Sequence, residues 1–280
     1  TGGFFGQLEQ AIDENGQGTT LQYAGLGRIW LVIRPGDSAA NPTVRFSYTA
    51  YSGANAPFWI KKEQRDGVDP NYYLETRSFY DGFGRMIQSQ AEGASTSQSI
   101  VASVQFNAAG QVLQQNAPYF HPAALGGYRT PDWGQPKTAT TYDAYGRAKQ
   151  VTNPDNSKTC TYYQGLQTAV VYEQTAGATY TYFQKISATD PLGRLSSVKD
   201  YTVALTPAAA ACPAPQWNAS VYGSTSYQYD VADRLTTTTG PDSAQITISY
   251  DTLGRKTQMS DPNMGTWSYA YDQVSNLTRQ

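Results

Sequence analysis

Few side chains of this sequence have the types and spacing that catalysis needs. His121, followed by Pro122, is the only histidine in the chain. A nucleophilic triad or a zinc site built on it would need partners that no motif marks, so His121 is interpreted as a loop residue. Nothing singles out a pair of acids for glycoside hydrolysis among the 22 Asp and Glu residues. The sequence therefore predicts no catalytic residue, no cofactor and no enzyme.

Metal chemistry is not indicated either. Asp230, Asp251 and Asp272 recur 21 residues apart, but calcium takes about six to eight oxygen ligands and each unit offers one carboxylate. Capping of a turn is therefore favoured over a calcium ladder. The two cysteines, Cys160 and Cys212, are too few for a structural zinc site. They either form a disulfide in an oxidising compartment or remain free thiols.

The three aspartates belong to a repeated phrase that begins with Tyr-Asp, at 229–234, 250–255 and 271–276. A fixed period of about 20 to 50 residues marks a supersecondary unit that buries its apolar face by stacking on copies of itself. Copies with looser spacing lie upstream at 23–28, 80–85, 106–111, 142–147 and 189–194. The residues assigned to the repeat are Tyr23, Gly27, Arg28, Tyr80, Asp81, Gly84, Arg85, Tyr142, Asp143, Gly146, Arg147, Asp190, Gly193, Arg194, Tyr229, Asp230, Arg234, Tyr250, Asp251, Gly254, Arg255, Tyr271 and Asp272.

Each repeat is predicted to contain two strands and two turns. Apolar residues alternate with polar ones before each Tyr-Asp, as in Ile246, Ile248 and Tyr250, which is typical of a strand with one buried face. A second strand follows, at 235–239 or 256–260, and ends in a Gly/Pro/Asp turn. Consecutive repeats then form an antiparallel meander, so we predict an all-β fold.

The turn residues have roles that need no ligand. The aspartate is expected to accept hydrogen bonds from backbone N–H groups, and the glycine to supply a positive φ. Arg255 is expected either to return to a carboxylate or to lie on a tyrosine ring of the neighbouring unit. The tyrosine rings themselves are expected to stack from one unit to the next.

Composition agrees with a repeat protein rich in strands and turns. Charged residues are 15% of the 280 positions, with 22 Tyr and 25 Gly. A net charge of −2 does not indicate the excess of basic residues that nucleic-acid binding needs. The chain has no run of about 18 apolar residues, so no membrane insertion is expected. We predict a single array over 1–280, with loop insertions near 36–58, 118–136 and 206–224 that their Pro, Gly and Ala content indicates.

The termini indicate a piece of a longer protein. The sequence starts with Thr1 rather than Met, and it stops at Gln280, soon after a new repeat opens at Tyr271. An array that ended there would leave an unpaired strand edge.

The phrase Tyr-Asp-x-x-Gly-Arg, followed by Asp-Pro-x-x-Gly and an aromatic strand, resembles the YD repeat of the Rhs family. The segment 261–272 is close to a consensus copy, and the resemblance covers most of the chain, more weakly through 29–79 and 112–136. The family includes bacterial Rhs toxins, cocoon-forming components of insecticidal toxin complexes, wall-associated proteins and animal teneurins. The resemblance implies a long β-strip that coils into a hollow shell. In the toxins that shell encloses a polypeptide effector, and in teneurins the barrel belongs to an adhesion ectodomain.

One departure limits the resemblance. Toxin shells of the family end in an Asp-Pro-x-Gly-Leu segment where self-cleavage occurs. Here Asp190-Pro191-Leu192-Gly193 is followed by Arg194 and lies in the middle of the chain, so it is interpreted as an ordinary repeat turn.

Three functions remain open on these grounds. The first is a secreted or surface scaffold, bacterial by the resemblance, that forms part of a shell around a polypeptide cargo. The second is an adhesin that binds glycan or a cell-surface protein through loop aromatics, for which the candidates are Trp30, Trp59, Trp133 and Trp217. The third is a fibre in which terminal strands pair with other copies of the chain.

Overall fold

All regular secondary structure that the structure describes is β, apart from one 3₁₀ turn at Gly25–Gly27. The computed structural model describes residues 6–49, 57–67, 69–176, 179–205, 213–218 and 220–280. Contacts divide the chain into two units, 1–139 and 140–280. Every described strand pairing in both units is antiparallel, which confirms the predicted all-β meander.

Unit 1 is a meander in which each strand pairs with the next as far as β9. Its strands are β1 Gln10–Ile12, β2 Gly18–Tyr23, β3 Ile29–Ile33, β4 Val44–Tyr48, β5 Phe58–Arg65, β6 Tyr73–Tyr80, β7 Met86–Glu92, β8 Ser99–Phe106, β9 Val112–Asn116, β10 Tyr119–His121 and β11 Lys137–Tyr142, the last of which spans the division. Two strands share one side of β8. β9 pairs with its C-terminal half and β10 with its N-terminal half, where Tyr119 faces Val101.

Unit 2 continues the same pattern with longer central strands. Its strands are β12 Ala148–Thr152, β13 Lys158–Gln164, β14 Gln167–Ala176, β15 Thr179–Thr189, β16 Leu195–Leu205, β17 Gly223–Tyr229, β18 Leu235–Thr239, β19 Gln245–Tyr250, β20 Lys256–Asp261, β21 Gly265–Ser268, β22 Ala270–Tyr271 and β23 Leu277–Arg279. Each strand from β12 to β20 pairs with its successor, and β22 pairs with β23.

The repeat phrase coincides with a β-bulge. The register shifts by one residue at the tyrosine in successive copies, for example between Ser249 and Tyr250, so that Tyr250 faces Lys256. The same shift occurs at Tyr23, Tyr80 and Tyr229. A bulge increases the local twist and turns the following side chains, which is how each repeat aims its aspartate and arginine across the turn.

Burial follows the predicted alternation, and the cores are small. In β19 the residues Ile246, Ile248 and Tyr250 are half-buried while their neighbours are exposed. Unit 2 has its apolar centre on β14, β15 and β16, where Ala169, Ile186 and Tyr201 pack together.

Two of the predicted loop insertions contain strands. The segment 36–58 includes β4, and β5 begins at Phe58, because Val44–Tyr48 alternates well enough to pair with both neighbours. The segment 118–136 begins with β10, and the segment 206–224 runs into β17. Residues 50–56, 206–212 and 219 of these segments lie outside the described residues.

Candidate functional site

The repeat aspartate closes its turn with hydrogen bonds to the backbone. Oδ1 of Asp251 accepts the N–H groups of Leu253 at 3.0 Å and Arg255 at 2.9 Å. The Asp251 carbonyl accepts the N–H of Gly254 at 3.0 Å. Gly254 has a φ of 83°, a conformation that strains residues with a Cβ. The same bonds recur at Asp81, Asp143, Asp190 and Asp230.

The repeat arginine makes contacts on both sides of the turn. In the last complete copy, Nε of Arg255 donates to Oδ2 of Asp251 at 2.7 Å. Nη1 of the same guanidinium donates to the carbonyl of Asp272, in the next repeat, at 3.2 Å. The guanidinium carbon also lies 4.9 Å from the ring centroid of Tyr271. Both roles predicted for Arg255 are thus filled at once.

The tyrosine of each following repeat completes the contact. The hydroxyl of Tyr271 donates to the carbonyl of Lys256, the residue after Arg255, at 2.9 Å. Equivalent hydroxyl-to-carbonyl bonds are Tyr48 to Ile29, Tyr163 to Ala148, Tyr229 to Leu195 and Tyr250 to Leu235. We call the set of aspartate, arginine and next tyrosine the turn clasp. It is complete at the repeat turns 143–147, 190–194, 230–234 and 251–255, whereas Arg85 lies on the ring of Phe106.

The turn clasp corrects the expectation that repeat tyrosines stack on one another. In the described part of the chain, the ring pairs are Phe58 with Tyr80, Phe79 with Tyr128 and Tyr172 with Phe183, and none joins two repeat tyrosines. A guanidinium occupies the face of the ring instead. An arginine over a tyrosine ring is attracted by the ring quadrupole and can still donate hydrogen bonds, so it satisfies more groups than a second ring would.

The clasp holds its carboxylates in the charged form. The backbone N–H of Arg234 and its guanidinium lower the pKa of Asp230 below its usual range. Burial raises the pKa of Asp251, but hydrogen bonds from Arg255 outweigh it and the net pKa is lowered. A lowered pKa of a carboxyl means that its hydrogen bonds stabilise the ionised form. These aspartates are therefore acceptors and ion-pair partners rather than proton donors.

A second feature, in unit 1, was not predicted from the sequence. Two buried glutamines of β7 hold the segment 123–132 against the sheet, each by a pair of hydrogen bonds. The side-chain amide of Gln88 donates to the carbonyl of Arg129 at 2.9 Å and accepts its N–H at 3.0 Å. That of Gln90 donates to the carbonyl of Gly127 at 2.9 Å and accepts the N–H of Gly126 at 3.2 Å. Each amide therefore pairs with the loop backbone through one donor and one acceptor, as a neighbouring strand would.

Further contacts fix the same segment. The hydroxyl of Ser99 donates to the carbonyl of Ala123 at 2.8 Å, and the amide of Asn116 donates to that of Asp132 at 3.3 Å. The Tyr128 ring lies edge-on to Phe79 with centroids 5.9 Å apart. Gln88, Gln90, Ser99 and Asn116 are all at most 1% exposed. We call residues 123–132 the first clamped loop.

Unit 2 uses the same device with a different loop. The amide of Gln184, which is 2% exposed, donates to the carbonyl of Gln216 at 2.9 Å and accepts its N–H at 2.7 Å. The hydroxyl of Tyr162 donates to the carbonyl of Pro213 at 3.1 Å. Trp217 then packs on the apolar centre of unit 2. We call residues 213–217 the second clamped loop.

The aromatic residues proposed to face a ligand lie in different surroundings. Trp30 is 44% exposed on β3, and Trp59 on β5 has the Arg77 guanidinium 5.5 Å from its ring. The backbone carbonyl of Trp133 accepts a hydrogen bond from Lys137. Trp217 packs on the core. Within the described residues, no ring-to-ring contact joins any two of them.

The remaining candidate residues have local roles. Nδ1 of His121 accepts the N–H of Ala123 at 3.2 Å, at the start of the first clamped loop. Cys160 is buried and forms a disulfide, whereas Cys212 lies outside the described residues. Asp190 caps its turn and pairs with Arg194 at 2.7 Å. Among the residues searched, no cluster of three His, Cys, Asp or Glu side chains could hold a metal ion.

A cleft of about 440 Å³ opens beside the first clamped loop. Its carboxylates are engaged within the protein. Glu92 accepts the N–H of Glu75 at 3.0 Å and the hydroxyl of Tyr72, and Glu75 accepts Nε of Arg77 at 2.5 Å. The hydrogen bond to Glu92 raises the pKa of Tyr72. These groups form a polar network along the strands.

A long apolar helix that could cross a membrane was not found in the described residues.

The comparisons with known proteins bear on the fold. A family model described as a domain of unknown function (DUF6443) matches residues 59–139, which hold Gln88, Gln90 and the first clamped loop. The crystal structure of TcdB2-TccC3-Cdc42 matches with a TM-score of 0.70 and 14% identity, over 96% of this chain and 18% of that chain. The fold is shared with TcdB2-TccC3.

A second crystal structure, TcdB2-TccC3 without the hypervariable C-terminal region, matches with a TM-score of 0.59 and 14% identity. It covers 96% of this chain and 19% of that chain. Identity this low shows the fold alone, and this chain spans less than one fifth of the length of either neighbour. No curated protein matches the sequence.

Proposed function

We propose that the chain is a structural scaffold, secreted or surface-exposed: a segment of the wall of a toxin-complex type shell that encloses a polypeptide. The observation that carries this proposal is the fold shared with TcdB2-TccC3 over 96% of the chain. The proposal includes no enzymatic step. Its mechanism is steric, because a wall of continuously paired strands excludes proteases from whatever lies behind it.

The turn clasp supports a wall in which neighbouring repeats stabilise one another. Each arginine binds its own aspartate and the next repeat, so loosening one repeat exposes polar groups in its neighbour. In arrays of this kind, stability is the sum of repeat terms and interface terms. The clasp adds a polar, directional interface term where the apolar core is thin.

Protease protection tests the proposal on the protein purified from its native source. We expect a polypeptide other than the wall to co-purify and to survive trypsin at concentrations that digest the same polypeptide after the wall is denatured. A polypeptide added from outside is the control and is digested in both cases. Full digestion of the co-purified chain with the wall intact would contradict enclosure, as would the absence of such a chain.

A further inference from the structure

The turns of unit 2 fall on two edges of the sheet that differ in polarity. In an antiparallel meander, alternate turns lie at the same edge. The repeat turns at 143–147, 190–194, 230–234, 251–255 and 272–276 share one edge with the tight turn at 165–166. We call this the motif edge. The turns at 153–157, 240–244 and 261–265 lie at the opposite edge.

Every turn of the motif edge ends in an exposed apolar side chain. The exposed fractions are 85% for Tyr145, 53% for Leu166, 72% for Leu192, 104% for Val231, 72% for Leu253 and 77% for Val274. At the opposite edge, the turns 153–157 and 240–244 carry no large apolar residue, whereas Met264 is exposed in the turn 261–265 and Val221 and Tyr222 are exposed at the end of the longer connection between β16 and β17. In unit 1 the repeat turns at 24–28 and 81–85 expose Leu26 and Phe83, whereas the repeat turn at 107–111 and the turns at 13–17 and 93–98 carry no large apolar residue.

The fold of the turn does not require these side chains. The aspartate and the residue of positive φ close the turn, and the tip residue Leu253 contributes its N–H to Asp251, although the Tyr145 ring also lies 5.2 Å from the guanidinium carbon of Arg147. A polar residue would serve there equally well and would be better solvated. Contiguous exposed apolar residues on soluble proteins mark contact surfaces. The motif edge is therefore a candidate interface.

The spacing of the tips points to a partner with the same repeat. Neighbouring strands lie about 4.8 Å apart, so tips that recur every second strand are separated by about 9.6 Å. The motif edge of a second copy has the same spacing, and two such rows can interdigitate along their whole length. A two-fold contact of this kind is self-complementary and closed.

Charge favours the same partner. Four motif-edge aspartates pair with the arginine of their own turn, as in the 2.7 Å pairs of Asp230 with Arg234 and Asp251 with Arg255, whereas Asp272 accepts a hydrogen bond from the Asn276 amide. Over those four turns, two motif edges can therefore approach without facing unpaired carboxylates. At the opposite edge, Asp155 and Asp242 make no ion pair within the described residues, and two such edges would repel.

The area is sufficient for a specific dimer. Six tip side chains, each exposing roughly 100–150 Å², give about 600–900 Å² per copy, against the roughly 800 Å² per partner of a standard interface. We propose that the motif edge of unit 2 binds the motif edge of a second copy of this chain, with the apolar tips interdigitated. This contact is separate from strand pairing at the ends of the array and does not depend on enclosure of a cargo.

Sedimentation velocity of the purified protein over a hundredfold range of concentration tests the proposal. We expect a reversible dimer for the unaltered protein, and at least tenfold weaker association for the double variant Leu192→Asp with Leu253→Asp. Met264→Asp, a change at a similarly exposed residue of the opposite edge, is the matched control and should leave the dimer intact. Circular dichroism and the melting temperature verify that each variant folds.

Two results would overturn the edge contact. One is an unaltered protein that stays monomeric over the whole range. The other is association that the double variant leaves unchanged, since the contact would then lie at the strand ends or elsewhere. Either result leaves the enclosure of a polypeptide standing, because protease protection is measured independently of this contact.

Discussion

Replacement of Gln88 by leucine removes the centre of the first clamped loop. The Gln88 amide has four partners: it donates to the Ser103 hydroxyl at 3.0 Å and to the Arg129 carbonyl at 2.9 Å, and it accepts the N–H of Arg129 at 3.0 Å and the amide of Gln90 at 2.9 Å. Leucine fills a similar volume and can make none of these bonds. The backbone N–H and carbonyl of Arg129 then either remain buried without partners or leave the sheet for water.

The expected loss follows from those two alternatives. A buried polar group without a partner costs about 1–3 kcal/mol, so two of them cost roughly 2–6 kcal/mol if the loop stays in place. If the loop is released instead, its polar groups regain hydrogen bonds to water and the protein loses the contact between Tyr128 and Phe79. The free energy of this release sets the upper limit of the loss in stability. We expect Gln88→Leu to lower the free energy of unfolding by about 3 kcal/mol.

Urea denaturation and amide hydrogen exchange measure the two parts of this prediction. Exchange at Arg129 and Gly126 should accelerate in Gln88→Leu, while β7 and β8 stay protected. Gln105→Leu is the matched control, since Gln105 is exposed on the neighbouring strand and its amide pairs with half-buried Gln114. A loss below about 1 kcal/mol together with unchanged exchange at Arg129 would refute the clamp.

The remaining predictions concern the clasp and the disulfide. Tyr250→Phe removes the 2.9 Å hydrogen bond from the Tyr250 hydroxyl to the Leu235 carbonyl, and it should lower the free energy of unfolding in urea by about 1 kcal/mol. The control is Tyr227→Phe, which should lower it little because the Tyr227 hydroxyl makes no hydrogen bond in the described residues. Equal losses in the two variants would contradict the clasp. The pKa of the turn aspartates is lowered in the folded protein, so their stabilisation is present above the unfolded pKa of about 4 and is lost as pH falls through the lower folded pKa. Melting temperatures from pH 7 to pH 2 at constant ionic strength should fall below about pH 4, less steeply in Asp81→Asn, and a rise in acid would reverse the sign argued here. Reduction of the Cys160 disulfide should lower the free energy of unfolding by about 2–4 kcal/mol in urea, with no effect of reductant on Cys160→Ala; an unchanged midpoint on reduction would show that the bond contributes no stability.

The local features of the fold could be predicted because adjacent residues decide them. The predicted strand 235–239 matches β18, and the alternation of Ile246, Ile248 and Tyr250 matches the burial of β19. A turn with an aspartate and a glycine at fixed positions closes by hydrogen bonds within five residues. Its chemistry is therefore readable from the sequence alone.

The clamps could not be predicted because their partners are far apart in the chain. Gln88 and Arg129 are 41 residues apart, and Gln184 and Gln216 are 32 apart. Glutamine on a strand is usually assigned to a solvated face. The one available signal was the alternation of Gln88 and Gln90 on β7 near a loop rich in Pro and Gly, which marks an irregular segment without saying which surface it covers.

The sequence predicts ring stacking where the structure has the turn clasp, and the cause of this difference is similar. The stacking of repeats predicts that Tyr271 lies beside the preceding repeat, but the bulge at this tyrosine turns the following residues. The arginine of the preceding turn then reaches the ring face first. Alternation along a strand fixes the face on which a ring lies, and the bulge decides which group it contacts.

Cryo-electron microscopy of the protein purified from its native source is the decisive measurement for a wall around a polypeptide. We predict a closed shell of antiparallel strands, with clasped turns along its length and additional density inside that belongs to another polypeptide. An open array, or a filament with no enclosed density, would contradict the proposed function.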